Sequence, residues 1–171
     1  QVQVTLDREG VAHYTFGQDE AWDHLDGPQE LIQMAPRVTA VCFGTLGQRQ
    51  VAAQRTIHQF LDSTAKTALR VLDLNLRPPY YNDATLQESL SRANVLKLNT
   101  EELRELEQRY DLSGKTVDML HRLRDLFSFD CVAFTRGPDG AVLVTADEQS
   151  ECSPVGVRVE DTVGAGDMYT A

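Results

Sequence analysis

The sequence predicts a mixed α/β fold, a mainly parallel sheet with helices on both faces, and three observations carry that prediction. Beyond residue 38, short apolar runs rich in β-formers alternate with stretches of helical period. The connections between those runs are long enough to hold a helix each, as parallel crossovers require. The chain opens differently, on two alternating runs joined by a short turn, so a small β element precedes the α/β pattern.

In order, "VQVTLD" and "VAHYTF" flank "REG" and read as a hairpin. A polar stretch with both Gly and Pro, "GQDEAWDHLDGPQELIQMA", leads to the apolar run "VTAVCFG", which reads as a strand buried on both faces. "QRQVAAQRTIHQFLDSTA" has helical period, "LRVLDLN" is β-rich, and "DATLQESLSRA" is helical again. "NVLKLN" reads as strand, "TEELRELEQRY" as a helix capped by Thr100, "TVDMLHRLRDLF" as helix and "CVAFT" as strand. "AVLVTA" and "SPVGVRV" follow as further strands. The texture changes at Gly17, so residues 1–17 form the small β element and residues 18–171 a partial α/β core. With Gln1 opening directly into a strand pattern and a helix only begun at the other end, the chain reads as an internal segment truncated at both ends.

Apolar residues make up 42% and charged residues 25% of the 171, ordinary for a globular domain. No apolar run reaches membrane-span length. Cys42, Cys131 and Cys152 are odd in number and widely spaced, which fits reduced thiols packed as small hydrophobes and a cytoplasmic home. A formal net charge of -10 opposes nucleic acid phosphates, yet leaves room for a small anion held at short range by amides and a divalent cation. The scattered His13, His24, His58 and His121 lack metal-ligand spacing, and Trp22 reads as a packing anchor.

Ligands of parallel sheets bind beyond the carboxyl ends of strands, and four loops there carry chemistry. In "DTVGAGD", Gly164, Ala165 and Gly166 lack bulk, so their amides can meet a phosphate, and Asp167 in the first helical turn is a candidate general base or simply a cap. In "KLNTEEL", Asn99 and Glu102 offer hard oxygens suited to magnesium, or cap a helix. "TRGPDG" places Thr135, Gly137 and Gly140 in a turn that fits a nucleotide phosphate or a tight link between strands. Asp73, Asn75 and Arg77 alternate in "DLNLRPP", sharing one side of an extended segment; Arg77 suits a carboxylate or phosphate, or pairs with an acid such as Asp73. "SGKTV" echoes a phosphate loop, but the upstream glycine would fall at Arg109, so it reads as a helix start. A dinucleotide fingerprint fits poorly, because its third glycine would fall on Tyr169.

The order of these loops, D-L-N-L-R, N-T-E-E, T-R-G-P-D-G and then D-T-V-G-A-G-D, resembles the ribokinase-like (PfkB) family of carbohydrate kinases over essentially the whole chain. "FGTLGQR" and "DLNLRPPYY" are most similar to its fructokinase-type and 2-keto-3-deoxygluconate kinase-type members. The resemblance implies an ATP-dependent sugar kinase with fructose as first substrate, 2-keto-3-deoxygluconate or ribose as alternatives, and Mg2+ as cofactor. It implies Asp167 as catalytic base, Gly164, Ala165 and Gly166 as anion hole, and Asn99 and Glu102 as the N-x-x-E motif that places metal and phosphates. It further implies nucleotide contact at Thr135, Gly137 and Gly140, and a sugar or phosphate vicinity for Asp73, Asn75 and Arg77. The opening hairpin resembles part of a β lid that closes over the sugar and forms a homodimer contact. A non-catalytic sugar or nucleotide sensor of the same fold is the rival reading; a segment without the rest of the fold is expected to be inactive.

Overall fold

A computed structural model describes residues 2–6, 12–154 and 164–170. β1 (Val2–Leu6) and β2 (Ala12–Phe16) pair antiparallel, Val2 opposite Phe16 and Leu6 opposite Ala12, as the alternating sequence demands. The "REG" turn between them lies outside the described residues. The polar stretch that follows forms a 3-10 turn at Ala21–His24, entered from the extended Glu20, and a short helix α1 (Gln29–Met34), entered from Pro28.

The main sheet is built from β3 (Ala40–Phe43), β4 (Leu69–Asp73), β5 (Val95–Asn99), β6 (Cys131–Thr135), β7 (Ala141–Val144) and β8 (Gln149–Cys152), neighbours in space in that same order. β3 to β6 run parallel; β7 and β8 return antiparallel. Helices α2 (Val51–Asp62), α3 (Asp83–Arg92), α4 (Thr100–Tyr110) and α5 (Thr116–Phe127) fill the parallel connections. Crossovers of one hand that all step in the same direction put their helices on the same face. Accordingly Leu86, Leu90, Leu103, Leu106, Leu120 and Leu123 from the helices pack with Leu72, Leu96, Leu98, Val132 and Phe134 from the strands in one buried core. The register turns Asp73, Lys97, Asn99 and Thr135 to the opposite face, where α6 (Ala165–Thr170) lies at the carboxyl edge.

Three sequence expectations need correction. Among the described residues β3 is an edge strand, and its Ala40 and Cys42 are exposed where no described element covers that face. Asn99, not Thr100, caps α4: its side chain accepts from the amides of Glu101 and Glu102, and Thr100 is already helical. A strand that the sequence reading did not name follows β7 at Gln149–Cys152, while the expected strand "SPVGVRV" lies from Val155 outside the described residues. All three cysteines are free thiols, but Cys42 and Cys152 are exposed and only Cys131 is half-buried.

Candidate active site

Lys97 is a cation in the middle of the apolar strand β5, and a buried ammonium is tolerated only with a close anionic partner. Asp73, directly across the parallel register, supplies it: Nζ donates to Oδ1 at 2.9 Å and to Oδ2 at 3.2 Å, with the side chains 9% and 11% exposed. The pair lies under α6. Thr170 donates its hydroxyl to Asp73 Oδ2 at 2.8 Å, and a Cβ on Gly166 would stand 3.1 Å from Lys97 Nζ. Gly166 therefore serves the close approach of helix to ammonium as well as any ligand.

The "KLNTEEL" loop folds into a reciprocal cap. Asn99 Oδ1 accepts from the amides of Glu101 and Glu102, and Glu102 Oε2 accepts from the amide of Asn99 at 2.8 Å. The second carboxylate oxygen, Oε1, accepts from the amide of Leu76 at 2.9 Å. One buried side chain thus ties the loop after β4 to the start of α4. Burial pushes the Glu102 carboxyl above its ordinary range, while the Asn99 and Leu76 amides and the Lys97 charge pull it back.

Asp73, Asn75 and Arg77 do not share one side of an extended segment. β4 ends at Asp73, and Asn75 turns the chain with φ of 37°. Asp73 is committed to Lys97, and the Arg77 guanidinium lies 5.5 Å from the Tyr14 ring centroid of the hairpin. In the third loop Thr135 ends β6, with its hydroxyl 3.4 Å from the Leu98 carbonyl. Gly137 has φ of 55° and open space where a side chain would be; Gly140, at φ of 84°, has the Cys152 carbonyl 2.0 Å from the same point.

Asp167 lies exposed in the first turn of α6, after Gly164, whose φ is 77° and whose surroundings are also open. The carboxyl ends of β4, β5 and β6 and the start of α6 thus bring the four predicted loops to one edge. The sequence reading missed Lys97 and Thr170. A lysine inside "VLKLN" was the available signal for the first; the hydroxyl had none.

A second cluster joins hairpin to core. Arg49 donates to Asp23 at 2.7 and 2.5 Å and to the Gly17 carbonyl at 2.6 Å, with its guanidinium over the rings of Trp22 and Tyr80. Tyr80 in turn meets Phe16 of β2 edge-on at 5.3 Å. The hydrogen bonds from Arg49 hold the Asp23 carboxyl below the usual range.

Among the described residues no three His, Cys, Asp or Glu side chains gather as a cation cage. Magnesium in phosphoryl transfer is held by one or two carboxylates and the phosphates themselves; the exposed carboxylate of Asp167 fits that mode, whereas both oxygens of the buried Glu102 already accept backbone amides.

Comparison with known proteins agrees with the geometry. A fructokinase of Rhizobium leguminosarum bv. trifolii is 25% identical over 95% of this chain and 50% of its own length. A fructokinase of Salmonella typhimurium is 28% identical over 99% of this chain and 56% of its own. The crystal structure of fructokinase with bound ATP from Xylella fastidiosa superposes with a TM-score of 0.81 at 20% identity, covering 99% of this chain and 53% of that one. The chain spans about half the length of the relatives it matches. The profile of the pfkB family carbohydrate kinases matches residues 19–171, and the chain belongs to that family.

Proposed function

We propose that the protein is an ATP-dependent sugar kinase that transfers the γ-phosphoryl group to a primary hydroxyl of a sugar, with fructose first and 2-keto-3-deoxygluconate or ribose as alternatives. The observation that carries this reading is the seating of the G-A-G-D turn at the carboxyl edge, directly over the Asp73–Lys97 pair. The fructokinases among the relatives support the sugar class.

Phosphoryl transfer asks for positioning and for stabilisation of charge on the moving group, with little covalent work for the protein. The exposed Asp167 carboxylate accepts the proton of the sugar hydroxyl as that oxygen attacks the γ-phosphorus. Amides of Gly164, Ala165 and Gly166 face the transferred group, with no side chain on either glycine to obstruct it. Gly137 lies open beside Thr135 for the nucleotide, and Gly140 supports that turn from behind. Asn99 and Glu102 act on the metal and phosphates through the loop they hold. When bound with ATP beside Asp167 and the loop that Asn99 and Glu102 hold, Mg2+ would supply charge neutralisation of the phosphates. Asn75 and Arg77 meet the sugar or its phosphate from the loop that Glu102 anchors.

In the same reading residues 1–17 are part of a lid and residues 18–171 a partial kinase core. The exposed Val2 and Val4 of the lid make a homodimer contact. The protein works in the cytoplasm on sugar and ATP, without nucleic acid or membrane. No helix among the described residues is long and apolar enough to cross a membrane.

The test is Asp167→Asn in the full chain, assayed for ADP release across a panel of fructose, 2-keto-3-deoxygluconate and ribose. Loss of a general base costs roughly 10²- to 10⁴-fold in turnover, with ATP affinity retained. Near-normal turnover would sink the base assignment. Sugar and ATP binding by the unaltered protein with no ADP release would make it a sensor instead.

A further inference from the structure

Two points of α6, one turn apart, meet the same ion pair of the sheet. At Gly166 the helix backbone comes down onto Lys97 Nζ, so close that a Cβ would be 3.1 Å from it. At Thr170 the hydroxyl donates to Asp73 Oδ2 at 2.8 Å. The same hydroxyl lies 3.1 Å from the Gly166 carbonyl, but it has one proton, and the shorter contact to the ionised acceptor is the stronger of the two. Residues four apart share a helix face, whereas the residue after Gly166 is rotated about 100° away from it. Fixing Gly166 and Thr170 therefore fixes the roll of the helix, and with it the direction of Asp167.

The pair is suited to that task. Lys97 fills both Asp73 oxygens and, being nine-tenths buried, has little freedom to swing. Its strand and that of Asp73 lie inside the sheet and not at its edge. A rigid, charged acceptor is thus presented to the helix that carries Asp167.

We propose that the Asp73–Lys97 pair is the seat that positions the catalytic helix, with the Thr170 hydroxyl as the contact through which it aims Asp167. Asp73, Lys97 and Thr170 are positioning residues acting through Asp167. The proposal rests on Asp167 being the base, and its test separates the two.

In the full chain, Thr170→Val removes the hydroxyl and keeps the shape, while Thr170→Ser keeps the hydroxyl. With ATP and the sugar that the panel identifies, Thr170→Val is expected to lose roughly ten- to hundredfold in kcat, KM for both substrates staying within about twofold. Thr170→Ser stays near the unaltered protein. Asp73→Asn combined with Thr170→Val is no slower than Asp73→Asn alone, since both break one contact. Hydrogen exchange of the amides of residues 166–170, which needs no turnover, speeds up in Thr170→Val and not in Thr170→Ser. Unchanged exchange and kcat in Thr170→Val overturn the proposal, as does equal loss in the Val and Ser variants. Thr170→Val leaves the Asp73–Lys97 ion pair in place, so it reports even where Asp73→Asn fails to fold. An active Asp167→Asn removes the base reading, whereas an inactive Asp167→Asn beside a fully active Thr170→Val removes only the seat.

Discussion

Gly140 holds φ of 84°, and any Cβ there would lie 2.0 Å from the Cys152 carbonyl oxygen, on backbone that cannot step aside without parting β7 from β8. Gly137, three residues earlier, has φ of 55° and nothing near it. Gly140→Ala is expected to cost about 3 kcal/mol or more by urea unfolding, and Gly137→Ala about 1–2 kcal/mol, the left-handed backbone penalty alone. The glycines of "TRGPDG" were legible as a turn at the sheet edge, but the reasons for each were not. One is fixed by β8, a strand that the sequence reading did not name, and the other has open space where a side chain would be. Asp73 shows the reverse. Spacing grouped it with Asn75 and Arg77, yet the positive φ at Asn75 ends the alternation and the unnoticed Lys97 claims its carboxylate.

At the scale of elements, helical and strand periods located α2 to α5 and β3 to β6 well, because each is long enough for its buried face to repeat. Boundaries were harder, since a cap is a matter of φ and ψ at one residue. Asn99 and Thr100 are both good capping types, and only geometry selects Asn99, whose φ of -107° and ψ of -176° are extended. Asn99→Ala should therefore lower stability by about 1–2 kcal/mol and Thr100→Ala by a few tenths, read from chemical denaturation midpoints. β3 misled for another reason. Four apolar residues in a row look alike whether one face or both is covered, and coverage is decided by elements distant in sequence.

For the whole molecule, the joint between hairpin and core is electrostatic and its pH response follows from Asp23. The Arg49 hydrogen bonds lower that carboxyl in the folded state relative to the unfolded one. The stability it contributes is then present above the unfolded carboxylate pKa of about 3.9 and is lost as pH falls through the lower folded value. Asp23→Asn should accordingly be less stable than the unaltered chain near neutrality, the two unfolding curves converging toward about pH 3 and below. Glu102, raised by burial, acts with the opposite sign, favouring the folded state at low pH and losing that contribution as pH rises, so the comparison with Asp23→Asn isolates the joint. Arg49 itself was visible only as part of a resemblance, because its partners Gly17, Asp23 and Tyr80 are brought together by the fold.

From β3 to β8 the strands neighbour one another in the order in which the chain makes them. Among the described strands none has to be inserted between two that are already paired, and each new pairing closes only the one loop that leads to it. Such a sheet can grow from one margin inward along the chain, one docking event at a time, with most closures kept local and fast. The loops that face the ligand are laid down in that same succession, so the helix bearing Asp167 is the last of the four to emerge and finds its acceptor already in place.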